Sequence, residues 1–433
     1  MAPTDDNIAR STADRQSTLR RTRRLKMARS AHAYVRGSTQ QFYQWLESTP
    51  ATVPDGPAIW ICGDCHLGNL GPLADRKGRV AIQIRDLDQT VIGSPAHDII
   101  RLGLSLASAL RGSDLPGVTT ARMLEALIAG YQAALDPEAS KADPTGDHPR
   151  LVQRLLTRSV RRRWPQLAEE RLKGDKARIA LGKRFWPLER EERAALADLL
   201  QGADVRDLLI RDTRGAAGDR IKLIDAAYWM KGCSSLGRLR YAALVKVGSG
   251  KTATTGLIDI KAAVAAAAPR AIDAVMPRDN GQRVLAGARA LSPNLGERMA
   301  VGRLDGQAVT LRELAPQDLK IELSRTRPAE AIALGRYLGG VVGEAHGRQM
   351  TGADRARWTA ALTRSRSTVL DAPSWLWSSV VELIGLHEAA YLEHCRQYAL
   401  LEAALGRAGQ ELLSVAGHSS GNGDHHARRQ TRF

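Results

Sequence analysis

The residues best suited to chemistry lie between Ile61 and Ile100: the aspartates Asp64, Asp86, Asp88 and Asp98, together with Asn69 and His66. Two neighbouring strands that end in acidic residues place carboxylates a few ångströms apart at one rim. An asparagine carbonyl beside them completes a set of hard oxygen ligands, which suits Mg²⁺ bound together with substrate phosphates. A further carboxylate can orient or deprotonate a hydroxyl nucleophile. The chemistry this points to is transfer of a phosphorus-containing group to a hydroxyl.

The surrounding pattern supplies the elements that must hold these groups. Ala58 to Cys62 is a short apolar run, read as a buried strand ending at Gly63-Asp64. Val80, Ile82 and Ile84 alternate with small or polar residues, as a half-buried strand does, after a turn at Asp75 to Gly78. That strand delivers Asp86 and Asp88 at its end. Ser94-Pro95 reads as a helix start, with Ser as N-cap and Pro in the first turn.

The three parts G-D-x-H-x-x-N, D-x-D and G-x-P-x-x-D, at Asp64 to Asn69, Asp86 to Asp88 and Gly93 to Asp98, resemble the catalytic segment of aminoglycoside phosphotransferases and related kinase-like enzymes. The chain as a whole looks like a member of the bacterial family called domain of unknown function 2252. The resemblance implies an Mg²⁺- and ATP-dependent phosphotransferase. Asp64 and His66 would form the catalytic turn, Asn69, Asp86 and Asp88 would hold the metal, and Asp98 would brace the loop. The partners would be a nucleotide and an unidentified small-molecule or protein acceptor. A nucleotidyl transferase, or an inactive nucleotide-binding relative of the same fold, is the alternative within this class. An Arg-rich nucleic-acid-binding protein is the alternative outside it.

Composition bounds these readings. The 433 residues include 63 Lys and Arg against 46 Asp and Glu, a formal charge of +17. Such an excess favours anionic partners, although most of it is Arg scattered through helical segments, where a solvated surface explains it equally well. No run of eighteen apolar residues suggests a membrane span. The first residues lack the apolar core of a signal peptide, and four cysteines do not make a disulfide framework, so a cytoplasmic location is expected.

In chain order, residues 1–18 are expected to be disordered. Residues 19–211 form the catalytic half, opening with a basic cluster at Arg20 to Lys26 that reads as a solvated face or, less favoured, a nucleic-acid arm. Arg36-Gly37 falls where the resembling family carries an Arg-Gly pair. Residues 151–211 read as helical and basic. Residues 212–318 follow the order strand, Gly-containing turn, strand, turn, strand, with Gly232, Ser234, Ser235 and Gly237 in the first turn and Lys261 on the third strand. The resemblance makes these the nucleotide-binding residues. The helix after Lys261 contains no Glu from Ala262 to Gly296, so the usual partner of such a lysine is missing. Residues 319–415 supply the helices that complete the large lobe, with Ala329 to Gly347 ending in a His, and 416–433 read as a flexible tail.

The family's helix ending in a His runs directly into the Gly-Asp turn, whereas here that turn lies far earlier. The expected fold is therefore α+β, a two-lobed kinase-like architecture in circularly permuted order, with a mostly helical large lobe and a small antiparallel-sheet lobe. Three other motifs carry less. Cys62 to His66 spells the haem attachment pattern without an export signal, and as a zinc site it lacks a fourth ligand. Gly248 to Thr252 resembles half of a P-loop, but Val245 stands where the first Gly belongs.

Overall fold

The computed structural model describes residues 12–48, 53–111, 115–136, 148–161, 172–173, 178–212, 218–232, 236–250, 253–314, 319, 327–363 and 373–419. Its fold is α+β with antiparallel sheets. Three helices open the chain, α1 (Thr12–Met27), α2 (Ala31–Gly37) and α3 (Thr39–Ser48). Four short strands follow: β1 (Ile59–Ile61), β2 (Leu70–Ala74), β3 (Val80–Ile84) and β4 (Val91–Gly93). β1 pairs with β4 and β2 with β3, so two small ladders nest one inside the other. The next helices are α4 (Pro95–Leu110), α5 (Gly117–Leu135) and α6 (Arg150–Arg161).

The small lobe is a six-stranded sheet. Its strands are β7 (Phe185–Trp186), β8 (Ile221–Trp229), β9 (Arg240–Val247), β10 (Thr254–Ala262), β11 (Met299–Leu304) and β12 (Gln307–Glu313). They run in the order β11-β12-β10-β9-β8-β7. Period-two alternation gives each strand two distinct faces. Tyr241, Ala243 and Val245 of β9 and Ile258 and Ile260 of β10 enter one core, which is closed by Leu196 and Leu199 of α7 (Arg190–Leu199) and Leu208 and Leu209 of α8 (Ala203–Asp212). The opposite face carries Arg240, Asp259, Lys261, Thr310 and Arg312, brought side by side by the β9–β10–β12 register. Asp305, with φ of 47°, and Gly306, with φ of 77°, make the tight β11–β12 turn.

The large-lobe core draws on both sides of the sheet lobe in sequence. Residues of β1 to β4 and α2 to α6 meet α9 (Asn280–Leu291), α10 (Pro293–Gly296), α11 (Pro328–Gly347), α12 (Gly352–Thr363) and α13 (Ser374–Ser419) in one cluster. The closest packing is α11 against α5. Gly335, Gly339 and Gly343 recur every four residues and form one face of α11, and a Cβ on each would lie 2.7, 2.0 and 2.6 Å from the carbonyl oxygens of Met123, Leu127 and Tyr131. On α5, a Cβ on Gly130 would lie 1.9 Å from the Arg336 oxygen. The helices touch backbone to backbone.

Three expectations are corrected here. Helix α1 starts at Thr12, inside the stretch expected to be disordered: Leu19 is fully buried in the small-lobe core and Arg15 pairs with Glu192 at 2.6 Å. The chain from 151 to 211 is not wholly helical, because β5 (Leu172–Lys173), β6 (Arg178–Ile179) and β7 interrupt it. Trp186 to Leu209 also pack into the small lobe, which therefore starts earlier than residue 212. Finally, α13 continues through Ser419, into the stretch expected as a tail; residues 420–433, with His425 and His426, lie outside the described residues. No helix among the described residues is long and apolar enough to cross a membrane.

The glycine seam gives a paired test. Gly339→Ala should destabilise by about 3 kcal/mol, because its methyl has no room against the Leu127 carbonyl. Gly340→Ala, whose Cβ would lie 3.7 Å from the nearest atom, should instead gain up to about 1 kcal/mol of helix propensity. Urea midpoints of the two variants decide it, and equal effects would refute the seam.

Candidate functional site

β1 enters the first turn of the site, and a buried carboxylate receives it. Asp98, in the first turn of α4, accepts hydrogen bonds from Cys62 N–H at 2.7 Å and Gly63 N–H at 2.9 Å. Gly63 has φ of +72°, and a Cβ there would fall 2.1 Å from the Gln89 carbonyl, so only glycine fits. Tyr43 Oη donates to the Gly63 carbonyl at 2.6 Å, and Thr90 Oγ1 to the Ile61 carbonyl at 2.6 Å. Asp64 is thereby held in a fixed direction.

The Asp98 carboxylate is in turn the end of a buried chain. His346, on the last turn of α11, approaches Asp98 Oδ2 with Nε2 at 3.1 Å. Its Nδ1 lies 2.9 Å from Tyr131 Oη, and Trp358 Nε1 donates to that same oxygen at 3.1 Å. Indole N–H can only donate and a carboxylate can only accept, so in a neutral His346 the proton sits on Nε2 and Nδ1 accepts from Tyr131 Oη. All four side chains are buried, so each bond is protected from water.

Asp64 itself is buried, with Oδ1 3.0 Å from Arg101 Nε and Oδ2 3.9 Å from His66 Nε2. Burial raises its pKa, and the Arg101 guanidinium only partly offsets that. His66 is pushed well below its ordinary value by burial and then by Arg36 and Arg101, which keeps the ring neutral. Asn69 Nδ2 donates to the Asp64 carbonyl at 3.0 Å, leaving Oδ1 available as an oxygen ligand. The Asn69 carbonyl accepts from Arg85 N–H at 2.7 Å, so the hairpin pairs Asn69 with the residue just before Asp86.

Asp86 and Asp88 follow β3, and the small lobe reaches them. Lys261 Nζ is 3.1 Å from both Asp86 oxygens and in direct contact with Asp88 Oδ2. Arg238 lies 3.9 Å from Asp88 Oδ2. Arg240 binds Asp259 with two hydrogen bonds of 2.8 and 2.5 Å, and Arg312 Nε stands 3.5 Å from the same carboxylate. Arg85, Asp86, Asp88, Arg240, Asp259, Lys261 and Arg312 line a narrow cleft of about 40 Å³. Arg283 of α9 ties the lobes together through the carbonyls of Asp88 at 3.0 Å, Val264 at 2.8 Å and Thr90.

The cleft splits the two acids. Burial alone would raise Asp86, but Lys261 and Arg240 outweigh it and hold that carboxyl well below its ordinary range. Its side chain is 41 % exposed, so solvent softens the attraction. Asp88, 16 % exposed, is pushed up to about 6 by burial and by the Asp86 charge despite Lys261.

The predicted residues thus fall into two groups. Asp64, His66 and Asn69 share the first turn, while Asp86, Asp88 and Lys261 meet in the cleft. The missing helix Glu is answered by Asp86 and Asp88, which hold Lys261 themselves, while α9 offers the cation Arg283. Gly232 and Gly237 have φ of +96° and +97° and receive α1 on their carbonyls, from Lys26 at 3.1 Å and Gln16 at 3.3 Å. Ser234 and Ser235 lie outside the described residues. Among the described residues no group of three or more His, Cys, Asp and Glu converges on one point. Asp86, Asp88 and Asn69 Oδ1 are hard oxygen donors, the ligand type that Mg²⁺ takes together with phosphate and water.

Sequence reasoning singled out the His that ends α11 without its contact to Asp98, and it missed Arg101, Tyr131, Arg283 and the Arg240–Asp259 pair. Only that pair had a local signal, the alternation that puts Arg240, Asp259 and Lys261 on one sheet face.

Two tests follow from this geometry. Asp98→Ala leaves two buried N–H groups and His346 without their acceptor and should cost about 3–5 kcal/mol in urea unfolding; a loss below about 1 kcal/mol would remove Asp98 from its place. The second test concerns pH. An acid whose folded-state pKa is raised withdraws stability as pH rises through that value, here about 6. The melting temperature of Asp88→Asn minus that of the wild type should therefore increase from about pH 5 to about pH 8. A flat or falling difference contradicts the assignment.

No curated protein and no solved structure matches the chain. A family profile does, over residues 15–397. That span takes in the first turn, the cleft and the Asp98–His346 link, and the chain belongs to the family of uncharacterized proteins conserved in bacteria termed DUF2252.

Proposed function

We propose that the chain is an Mg²⁺- and ATP-dependent phosphotransferase, kinase-like in architecture and circularly permuted in order. The observation that carries this reading is the meeting of Lys261 with Asp86 and Asp88 across 175 residues of chain, on the rim that also holds Asp64 and Asn69. A lysine from a sheet facing two carboxylates from a hairpin is the arrangement needed to bind phosphates and a divalent cation together. The permuted order is supported by α11: its terminal His346 reaches Asp98, which holds the Gly63-Asp64 turn, so a helix end and a turn far apart in the chain are neighbours in space.

In this reading Asp86, Asp88 and Asn69 hold the metal, and the Mg²⁺ supplies charge neutralisation to the phosphates. Lys261, with Arg240 and Arg312 beside it on the sheet, binds phosphate oxygens. The Gly232 to Gly237 turn covers them. Asp64 orients the acceptor hydroxyl. The acceptor oxygen forms the new bond to the γ-phosphorus as the bond to the β–γ bridging oxygen breaks. ADP leaves with that electron pair, and the hydroxyl proton passes through Asp64 to solvent. Its raised pKa, set first by burial, suits a group that must accept a proton.

Volume sets a condition on this cycle. Ligand pockets usually measure about 300–1,000 Å³, and the cleft of about 40 Å³ is an order of magnitude smaller. Nucleotide entry therefore requires the lobes to part and Lys261 to move from the carboxylates to the phosphates.

Asp86→Asn should lower ADP formation on the order of a thousand-fold while Mg·ATP-free melting stays close to wild type. Turnover like that of the wild type would dismiss the metal assignment. The mass added to the acceptor, phosphate or nucleotide, separates phosphoryl from nucleotidyl transfer.

A further inference from the structure

Beside His66 stands the guanidinium of Arg36, close enough to act on that ring. Arg36, on the last turn of α2, lies over the turn Leu67–Asn69: a Cβ on Gly68 would sit 2.8 Å from its Cζ and Nη2 and 2.9 Å from its Nε. Any side chain at Gly68 would evict it. Arg36 is half-buried, its Nε is shielded from solvent without a hydrogen bond, and among the described residues no carboxylate pairs with it. Two neighbours share this condition. Arg101, 1 % exposed, gives Nε to Asp64 and Nη2 to the Val35 carbonyl at 2.7 Å, but its Nη1 is buried and unpaired. His66, 4 % exposed, has an unpaired buried Nδ1.

Buried donors without acceptors are costly, and a native fold retains them where a ligand supplies the acceptor. The charge count points the same way. Arg36 and Arg101 both act on the His66 ring, so two cations stand at the turn. The wider surface has the same sign: Arg150, Arg154, Arg158 and Arg161 are exposed along α6, which packs on the β2–β3 hairpin, and the chain carries +17 overall.

We propose that Arg36, Arg101 and His66 form an anion subsite beside Asp64, and that the acceptor carries a carboxylate or phosphate group close to the hydroxyl that receives the γ-phosphoryl. The subsite rests on the unpaired donors; that its occupant is an acceptor rests on the phosphotransferase reading. A polyamine or amino sugar has the wrong sign for this turn, whereas a hydroxy acid or a sugar phosphate has the right one. Guanidinium groups suit both anions, because their planar N–H pairs match carboxylate and phosphate oxygens.

The test uses inorganic phosphate as probe, read by thermal shift, in Lys261→Met protein so that the nucleotide cleft contributes little. A saturable rise in melting temperature should persist there, and adding Arg36→Met should weaken phosphate at least about ten-fold. Arg36→Lys should restore part of the effect. Melting in phosphate-free buffer reports folding, and Arg36→Gln replaces the Met variant if that one fails to fold. No phosphate response in Lys261→Met protein, or one that survives loss of Arg36, overturns the subsite. With wild-type protein and Mg·ATP, ADP formation should follow hydroxy acids and sugar phosphates; formation with amino sugars alone overturns the acceptor class while upholding phosphotransfer. No ADP with any acceptor, beside phosphate binding that depends on Arg36, counts against phosphotransfer and leaves the anion subsite standing.

Discussion

The site depends on one buried carboxylate. Asp98 has no exposed surface, and it accepts from the two peptide N–H groups that lead into Asp64. Those donors belong to a turn that carries a positive-φ glycine and cannot pair with a regular strand neighbour. Without Asp98 they would be buried and unsatisfied. His346 then occupies the carboxylate from the other side and is itself oriented by Tyr131 and Trp358. The seam of glycines between α11 and α5 gives this chain its register, since Tyr131 lies on α5 and His346 on α11. Backbone-to-backbone packing leaves little freedom for one helix to slide along the other, so the imidazole arrives where the carboxylate needs it.

A second constraint is charge. The sheet face that meets the large lobe bears Arg240, Asp259, Lys261 and Arg312, and buried charges persist only when paired. Asp259 meets this need for Arg240 and Arg312. Lys261 is left to find carboxylates across the cleft, and it finds two. Each lobe thus presents charge that the other neutralises across the cleft. The opposed displacements of Asp86 and Asp88 express this sharing: a single ammonium holds one acid strongly ionised and leaves the other easier to protonate.

Much of this was legible where the determining residues are close in sequence. Strands β1 and β3, the helix start at Ser94-Pro95, and the strand carrying Lys261 follow from alternation, turn residues and caps, whereas β2 and β4, with which β3 and β1 pair, were not read. The partners were not legible, because each comes from a distant element. Arg101 meets Asp64 through an otherwise apolar helix face, and nothing in IIRLGLSLASAL marks one arginine as buried. Asp98 was expected to brace the loop, but its link to His346 spans 248 residues. Residues 12–18 were misread for a different reason. Their polar and charged composition suggested disorder, whereas Arg15 is buried over the Tyr228 ring at 4.8 Å and the adjacent Leu19 fills the small-lobe core. Long cationic side chains can cover apolar surface, so charge density alone does not decide exposure.

Chain order and spatial order part company in this fold, and α1 helps to reconcile them. The large-lobe core is assembled from segments before and after the sheet lobe, so its two halves are joined covalently only through that lobe. α1 adds a non-covalent tie: Arg15 and Leu19 dock on the sheet lobe, while Arg23 reaches the Gly37 carbonyl at 3.2 Å and Ala28, just past its end, accepts from Tyr391 of α13 at 3.2 Å. Lys26 and Gln16 touch the two glycines of the turn assigned to nucleotide. Any parting of the lobes must therefore strain or release α1. That makes the basic helix a load on the cleft: Lys26 and Arg23 are engaged with carbonyls of the two lobes, while Arg20, Arg21 and Arg24 are exposed.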